Sequence, residues 1–308
     1  MQRVVVFGAT GRQGGSVINH LLESGGYSIR AVTRNVSSEK AQNLVKKGVE
    51  IVKGDLLQSP QTLVPILKDA HVVFGVTDYW SLLDRPEGAE QSEIQCGKNL
   101  VDAIVEARVP FPIFSGLPSA LRLTDNKIRV SHFESKANIE EYIEKKGYPF
   151  VIVHPYAYFE NLFYWLQPSS EAPGSFQIVL PMGPSNILLT CMQNFGGVIA
   201  SILKSPQNYL GKTIDIVHSY TDFYKVANVL SEVFGKKVVY HSVSVEEFRR
   251  FPFPGASDLA DMFAAYQIMF DDSHIQNFDL KIAKELYPQC HSLASWAEEH
   301  KSELLKLH

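Results

Sequence analysis

The first half of the chain alternates two hydrophobic patterns. RVVVF (3–7) is a nearly continuous apolar run that stops at a glycine turn, the pattern of a strand buried on both faces. Residues 12–24 switch to helical spacing, with Val17, Ile18, Leu21 and Leu22 on one face. SIRAVTR (28–34), VEIVKGD (49–55), HVVFGVT (71–77), FPIFSG (111–116) and PFVIVHP (149–155) predict five more strands. Helices are predicted between them over 37–48, 59–70, 89–108 and 131–147. The 37–48 helix has a serine to cap it and a glycine to stop it; Pro65 disturbs the 59–70 helix. Strict strand–helix alternation predicts an α/β fold. It is a Rossmann-like, doubly wound parallel sheet with right-handed crossovers and helices on both faces.

After about residue 154 prolines and aromatics become frequent. QIVLPMG (177–183) reads as either a strand or an irregular segment. KTIDIVH (212–218) and KVVYHSV (237–243) read as strands, and 194–203, 221–235, 244–251, 256–270 and 292–305 as helices. We therefore expect residues 1–154 to form the Rossmann domain. Residues 155–308 would form a smaller, interleaved C-terminal α/β domain, with segments near 190–218 returning to the first sheet.

The turn after the first strand, GATGRQG (8–14), runs directly into a helix. Gly8 permits the tight exit, Gly11 lets backbone approach a pyrophosphate, and Gly14 lets helix and sheet pack closely. The helix amides and dipole then face the phosphates. A glycine triplet alone is weak evidence; the strand before it and the helix after it make it a dinucleotide signal. The second strand ends Thr33-Arg34-Asn35, with no carboxylate before Glu39. Arginine there fits the 2′-phosphate of NADP(H), and Arg12 could face the same group. Asp55, after the third strand, stands where adenine is usually lined.

Composition narrows the function classes. The 308 residues are 45% hydrophobic with a formal net charge of −4, so direct nucleic-acid binding is disfavoured. Cys96, Cys191 and Cys290 have no metal-ligand spacing, and no metal site is expected. No signal peptide or apolar run of ~20 residues is visible, so we expect no membrane span and a cytoplasmic protein, with the nucleus as a second location.

A hydride-transfer site built on YxxxK uses tyrosine as proton donor and lysine to hold the nicotinamide ribose. The corresponding segment here is SHFESK, giving His132 and Lys136 at i and i+4 on one helix face. The lysine is kept and the phenol is missing. Histidine can donate a proton near neutral pH, or can simply be a part-buried helix residue. Ser115 could hydrogen-bond a substrate carbonyl or be an ordinary strand exit.

The motifs VVVFGATGRQGGSV, VTRN, VTDYW, FSGL, HFESK, YFENL (158–162), FPGASDLADMF (253–263) and LASWAEEHKSEL carry a resemblance over the whole chain. The chain resembles the NmrA-like family, an atypical branch of the short-chain dehydrogenases/reductases, and within it the NmrA-like family domain-containing redox-sensor proteins. The resemblance implies that Gly8, Ala9, Thr10, Gly11, Arg12 and Gln13 hold the pyrophosphate and that Arg34 meets the 2′-phosphate. Asp55 and Leu56 would line the adenine. Val76, Thr77 and Asp78 would run under the adenosine side. Lys136 would hold the nicotinamide ribose, and Tyr158, Phe159, Glu160 and Asn161 would close over the nicotinamide. One departure is Gln95, which replaces a lysine that reaches the cofactor in sensor members.

Two functions follow. One is an NADP(H)-binding redox sensor, a monomer or homodimer that regulates transcription or signalling through protein partners. The other is an NADPH-dependent reductase of a small-molecule quinone or carbonyl compound, with Lys136 and His132 as its catalytic residues.

Overall fold

The structure is a computed structural model that describes residues 1–169 and 172–306. It divides into two compact units. Unit 1 comprises Met1–Pro118, His132–His154 and Gln193–Ile214; unit 2 comprises Ser119–Ser131, Pro155–Met192 and Asp215–His308. Residues 119–131 were expected within the first domain but group with the second. The short helix Ala120–Leu123 there is capped by Ser119, and the amide of Ser131 donates to Asp258 Oδ1 at 3.1 Å.

Unit 1 is built on parallel strands β1 (Gln2–Val6), β2 (Tyr27–Thr33), β3 (Glu50–Lys53), β4 (Val72–Val76), β5 (Phe111–Ser115) and β6 (Val151–Pro155). Their order across the sheet is β3-β2-β1-β4-β5-β6, and Thr213–Ile216 adds a seventh strand beside β6. The order reverses between β1 and β4, the switch point at which open α/β sheets bind ligands beyond the strands' carboxyl ends. Val4 sits between Ile29 and Val72, and Val4, Val5 and Val6 are fully buried. This burial explains why β1 reads as an apolar run without alternation.

Four helices of unit 1 matter to the site: α1 (Arg12–Ser24), α2 (Glu39–Lys46), α3 (Ala89–Glu106) and α4 (Ser131–Lys146). Ser38 caps α2 by accepting from the Ala41 amide, and Gly48 ends the segment at φ +82°. The helix expected over 59–70 is interrupted. Pro60–Leu63 is α-helical and Val64–Leu67 continues as a 3₁₀ turn, because Pro65 cannot supply an amide to the α pattern. α3 and α4 lie close together because Gly97 faces Ile139. A Cβ at Gly97 would come within 2.3 Å of that side chain.

Unit 2 carries two small sheets. Strands β7 (Ala157–Tyr158), β8 (Leu166–Pro168), β9 (Phe176–Leu180) and β10 (Ile187–Thr190) precede Thr213–Ile216, which counts as β11; β12 (Ser219–Thr221) and β13 (Val238–Ser242) follow. One sheet runs β12-β10-β7 and the other β13-β9-β8. The ambiguous segment 177–183 resolves as β9 plus a turn. Helix α5 (Met192–Ile202) precedes β11 and from Gln193 onward belongs to unit 1. α6 (Phe223–Phe234) starts on an Asp222 cap and stops at Gly235 in the left-handed region, while α7 (Ala256–Met269) and α8 (Leu293–Leu304) complete the unit. Trp296 of α8 is fully buried against Phe159, with ring centroids 5.9 Å apart.

Candidate functional site

The glycine turn has the geometry its sequence demands. Gly8 has φ +65°, a region that L side chains rarely adopt, and a Cβ there would lie 2.5 Å from Val76 Cγ1. A Cβ at Gly14 would lie 2.4 Å from the Gly8 carbonyl oxygen, so only glycine lets α1 start this close to β1. The Gly11 amide donates to the Gly8 carbonyl at 2.9 Å and closes the turn. No side chain caps α1, and its first turn carries no acidic residue. A phosphate placed here would meet the positive end of this helix dipole without competition from a carboxylate. Gly8 and Gly11 are exposed, whereas Ala9 is buried and anchors the turn in the sheet.

Arg34 is exposed just past β2, and its Nη1 donates to Ser81 Oγ at 3.5 Å. Ser81 in turn donates to the Asp78 carbonyl at 3.0 Å. The guanidinium is thus only lightly tethered by Ser81. Asp55 Oδ1 accepts from the Leu57 amide at 3.0 Å and shapes the turn after β3. Buried Asn99 of α3 donates to the Leu56 carbonyl at 2.8 Å and accepts from Gln95 Nε2 at 2.7 Å. Gln95, which stands where a lysine was expected to reach the cofactor, therefore supports Asn99 and through it the Asp55–Leu56 turn.

The end of β4 carries a polar junction. Thr77 is buried, and its hydroxyl donates to Glu93 Oε1 at 2.7 Å. Lys136 Nζ donates to the same oxygen at 2.7 Å, to Thr77 Oγ1 at 2.9 Å and to the Thr77 carbonyl at 3.2 Å. Ser135 donates to Glu93 Oε2. Glu93 and Ser135 are additions to the sequence reading. A signal for Glu93 exists: it lies four residues before Gly97 and seven before Leu100, on the buried stripe of α3, where a carboxylate needs a cation.

The His132 carbonyl accepts from Ser135 Oγ at 3.3 Å, while its ring lies among aromatic side chains. Its ring is 6% exposed and is enclosed by Tyr79, Trp80 and Phe133, at centroid distances of 5.6, 5.1 and 5.0 Å. Ser115 is also buried, 1% exposed at the end of β5. Burial, reinforced by the charges of Asp55 and Glu93, pushes the Cys96 thiol up to about 12, so it stays protonated at neutral pH. Among the described residues no cluster of His, Cys, Asp and Glu could hold a metal, and no helix is long and apolar enough to cross a membrane.

The segment Tyr158–Asn161 belongs to unit 2. Phe159 is fully buried in that unit, and Glu160 Oε2 accepts from the Met192 amide at 3.1 Å. Both side chains support the unit's own packing.

The model of the NmrA-like family matches residues 1–297. The chain belongs to the NmrA-like family. It is 29% identical over 282 residues to the NmrA-like family domain-containing oxidoreductase FrzB of Cladobotryum sp, covering 86% of this chain and 83% of that one. Among solved structures it is similar to NmrA, a negative transcriptional regulator, in complex with NADP. That likeness has a TM-score of 0.79 at 20% identity over 97% of this chain and 94% of the other, and it concerns the fold alone. The Citrobacter sp. triphenylmethane reductase complexed with NADP(H) is similar at TM-score 0.77 and 25% identity, over 96% and 99% of the two chains. As an NmrA-like protein, this chain thus has curated relatives named as oxidoreductases, and it shares its fold with a solved structure described as a negative transcriptional regulator.

Proposed function

We propose that this NmrA-like protein binds NADP(H) on its first unit and acts as a cofactor-responsive regulator of protein partners. In this reading the uncapped N-terminus of α1 after the Gly8–Gly14 turn takes the pyrophosphate, and the Arg34 guanidinium meets the 2′-phosphate. Two solved neighbours support a nicotinamide dinucleotide: the triphenylmethane reductase is an NADP(H) complex, and NmrA is known in complex with NADP and with NAD, so the preference for NADP(H) rests on Arg34. The observation that carries the regulatory half is the state of the YxxxK positions. His132 stands where the phenol would be, with its ring packed among three aromatic rings, and Lys136 is committed to Glu93 and Thr77. A proton relay to a substrate needs a donor within hydrogen-bond reach of it, and the packing of the one residue and the engagement of the other favour a binding role over a relay.

The second reading is an NADPH-dependent reductase. It is favoured by relatives named as oxidoreductases, including FrzB. A quinone or a cationic dye accepts hydride without a dedicated acid, so such chemistry could do without the tyrosine. Incubation with NADPH and a panel of quinones and aldehydes separates the readings. Turnover approaching about 10 per second refutes the regulator reading as the main function. Its absence, together with a change of oligomeric state or partner capture between NADPH and NADP+, supports it. For the cofactor, Arg34→Ala is expected to weaken NADPH on the order of tenfold to a hundredfold, the scale of lost charge-assisted hydrogen bonds, and to spare NADH. Calorimetric titration with both dinucleotides reads this directly. Equal losses for the two would show that Arg34 does not hold the 2′-phosphate.

A further inference from the structure

Glu93 is fully buried and receives donors on both oxygens: Lys136 and Thr77 on Oε1, Ser135 on Oε2. Lys136, with its side chain 12% exposed, places its three N–H groups on Glu93 Oε1, Thr77 Oγ1 and the Thr77 carbonyl. An ammonium has three donors and no more. The lysine is therefore saturated within the protein, and the ion pair is neutral as a unit. A ribose held by Lys136, as the resemblance implies, would share an ammonium already engaged by Glu93 and Thr77.

We propose that Glu93 determines specificity for the redox state of the cofactor: by neutralising Lys136 it sets the relative affinity for NADP+ and NADPH. The inference rests on the reading that NADP(H) binds to this unit with its nicotinamide half toward Lys136. The oxidised nicotinamide ring carries a positive charge that the reduced ring lacks. A lone ammonium nearby penalises the oxidised form, whereas a paired ammonium does not. A regulator that reads the balance of the two forms must hold both, and Glu93 makes that possible. For unit charges about 10 Å apart at an effective dielectric near 20, the penalty is on the order of tenfold in affinity. Glu93 acts through Lys136 and is a positioning residue with respect to the cofactor.

The test is calorimetric titration of the full chain with NADP+ and with NADPH, with thermal melting as the check on folding. In Glu93→Gln the ratio Kd(NADP+)/Kd(NADPH) is expected to rise on the order of tenfold, because the ammonium loses its counter-charge. In Glu93→Gln/Lys136→Met, which leaves no buried charge, the ratio is expected to return to within about threefold of the native value. A merely structural role would weaken both forms alike and leave the ratio fixed. That outcome, or an unchanged ratio in folded Glu93→Gln, overturns the proposal. Where Glu93→Gln does not fold, the double variant alone decides, and a ratio shifted by more than about threefold overturns the charge-balance argument. Native protein that binds neither form refutes the cofactor reading itself. Native protein that binds both while the ratio stays fixed refutes only the role of Glu93.

Discussion

Gly14→Ala isolates the contact on which the whole cofactor reading depends. The added Cβ would sit 2.4 Å from the Gly8 oxygen, 2.7 Å from the Gly8 carbon and 2.9 Å from Ala9 Cα. All three are backbone atoms of the glycine turn, so no side chain can swing away. Carbon atoms pack at about 3.5–4.0 Å, and the start of α1 must therefore retreat by about 1 Å. Overpacking of this kind costs about 1–3 kcal/mol, against which alanine in a helix regains up to about 1 kcal/mol over glycine. A net loss of about 1–2 kcal/mol is expected in the urea unfolding free energy. The retreat also draws the α1 amides away from the phosphates. Dinucleotide affinity should then fall on the order of tenfold or more, for NADPH and NADH alike, because both carry the pyrophosphate. Gly15→Ala is the matched control. Its Cβ would meet only the Ala9 oxygen at 3.8 Å, an ordinary contact, so stability and affinity should hold. Native-like stability and binding in Gly14→Ala would refute the packing argument. A loss confined to NADPH would place the 2′-phosphate, and not the pyrophosphate, at this turn.

Two further outcomes test unit 2 by itself. His218 Nδ1 accepts from the Cys191 amide at 3.1 Å, its buried Nε2 has no hydrogen-bond partner, and burial lowers its pKa to about 4. The unfolded chain takes up this proton near 6.5 and the folded chain only near 4, so stability falls as pH drops through that window, by up to about 3 kcal/mol. His218→Gln should flatten this part of the profile in urea melts at pH 6.5 and 4.5; an unchanged slope would exclude His218 as its source. Asp222 accepts from the Lys225 amide at 2.9 Å at the start of α6, and Asp222→Ala should lower the unfolding free energy by about 1 kcal/mol, with no loss indicating a cap of no consequence.

The sheet of unit 1 was legible because its central strands are buried on both faces and its strands are separated by helices with their own period. Val4–Val6 and Val72–Phe74 carry that signal without any tertiary information. Segments whose structure depends on distant partners were not legible in this way. β7 is two residues long and exists because Ala157 and Tyr158 pair with Leu189 and Thr190 of β10, a register that no local pattern encodes. β12 likewise forms against β10, with Thr221 opposite Ile187. The helix Ala120–Leu123 escapes periodicity because four residues cannot display it. Pro65 did announce a disturbance, and the structure turns it into a change from α to 3₁₀ spacing.

The glycine turn could be read from the sequence because each glycine answers a local steric demand. Gly8 needs a positive φ, and Gly14 needs a missing Cβ. The junction at Lys136 is different in kind. Its partners come from the end of β4, from α3 and from α4, and the sequence separation between Lys136 and Glu93 is 43 residues. The HFESK motif shows that a lysine is kept, but a motif cannot show that a carboxylate on another helix has claimed it. Gly97, four residues beyond Glu93, lets α3 and α4 approach at Ile139, which lies three residues beyond Lys136. A kept lysine therefore does not by itself indicate a kept catalytic role. On the reading proposed above, a Lys136 whose donors are engaged by Glu93 and Thr77 would tolerate a cofactor in either redox state more readily than a lone ammonium would.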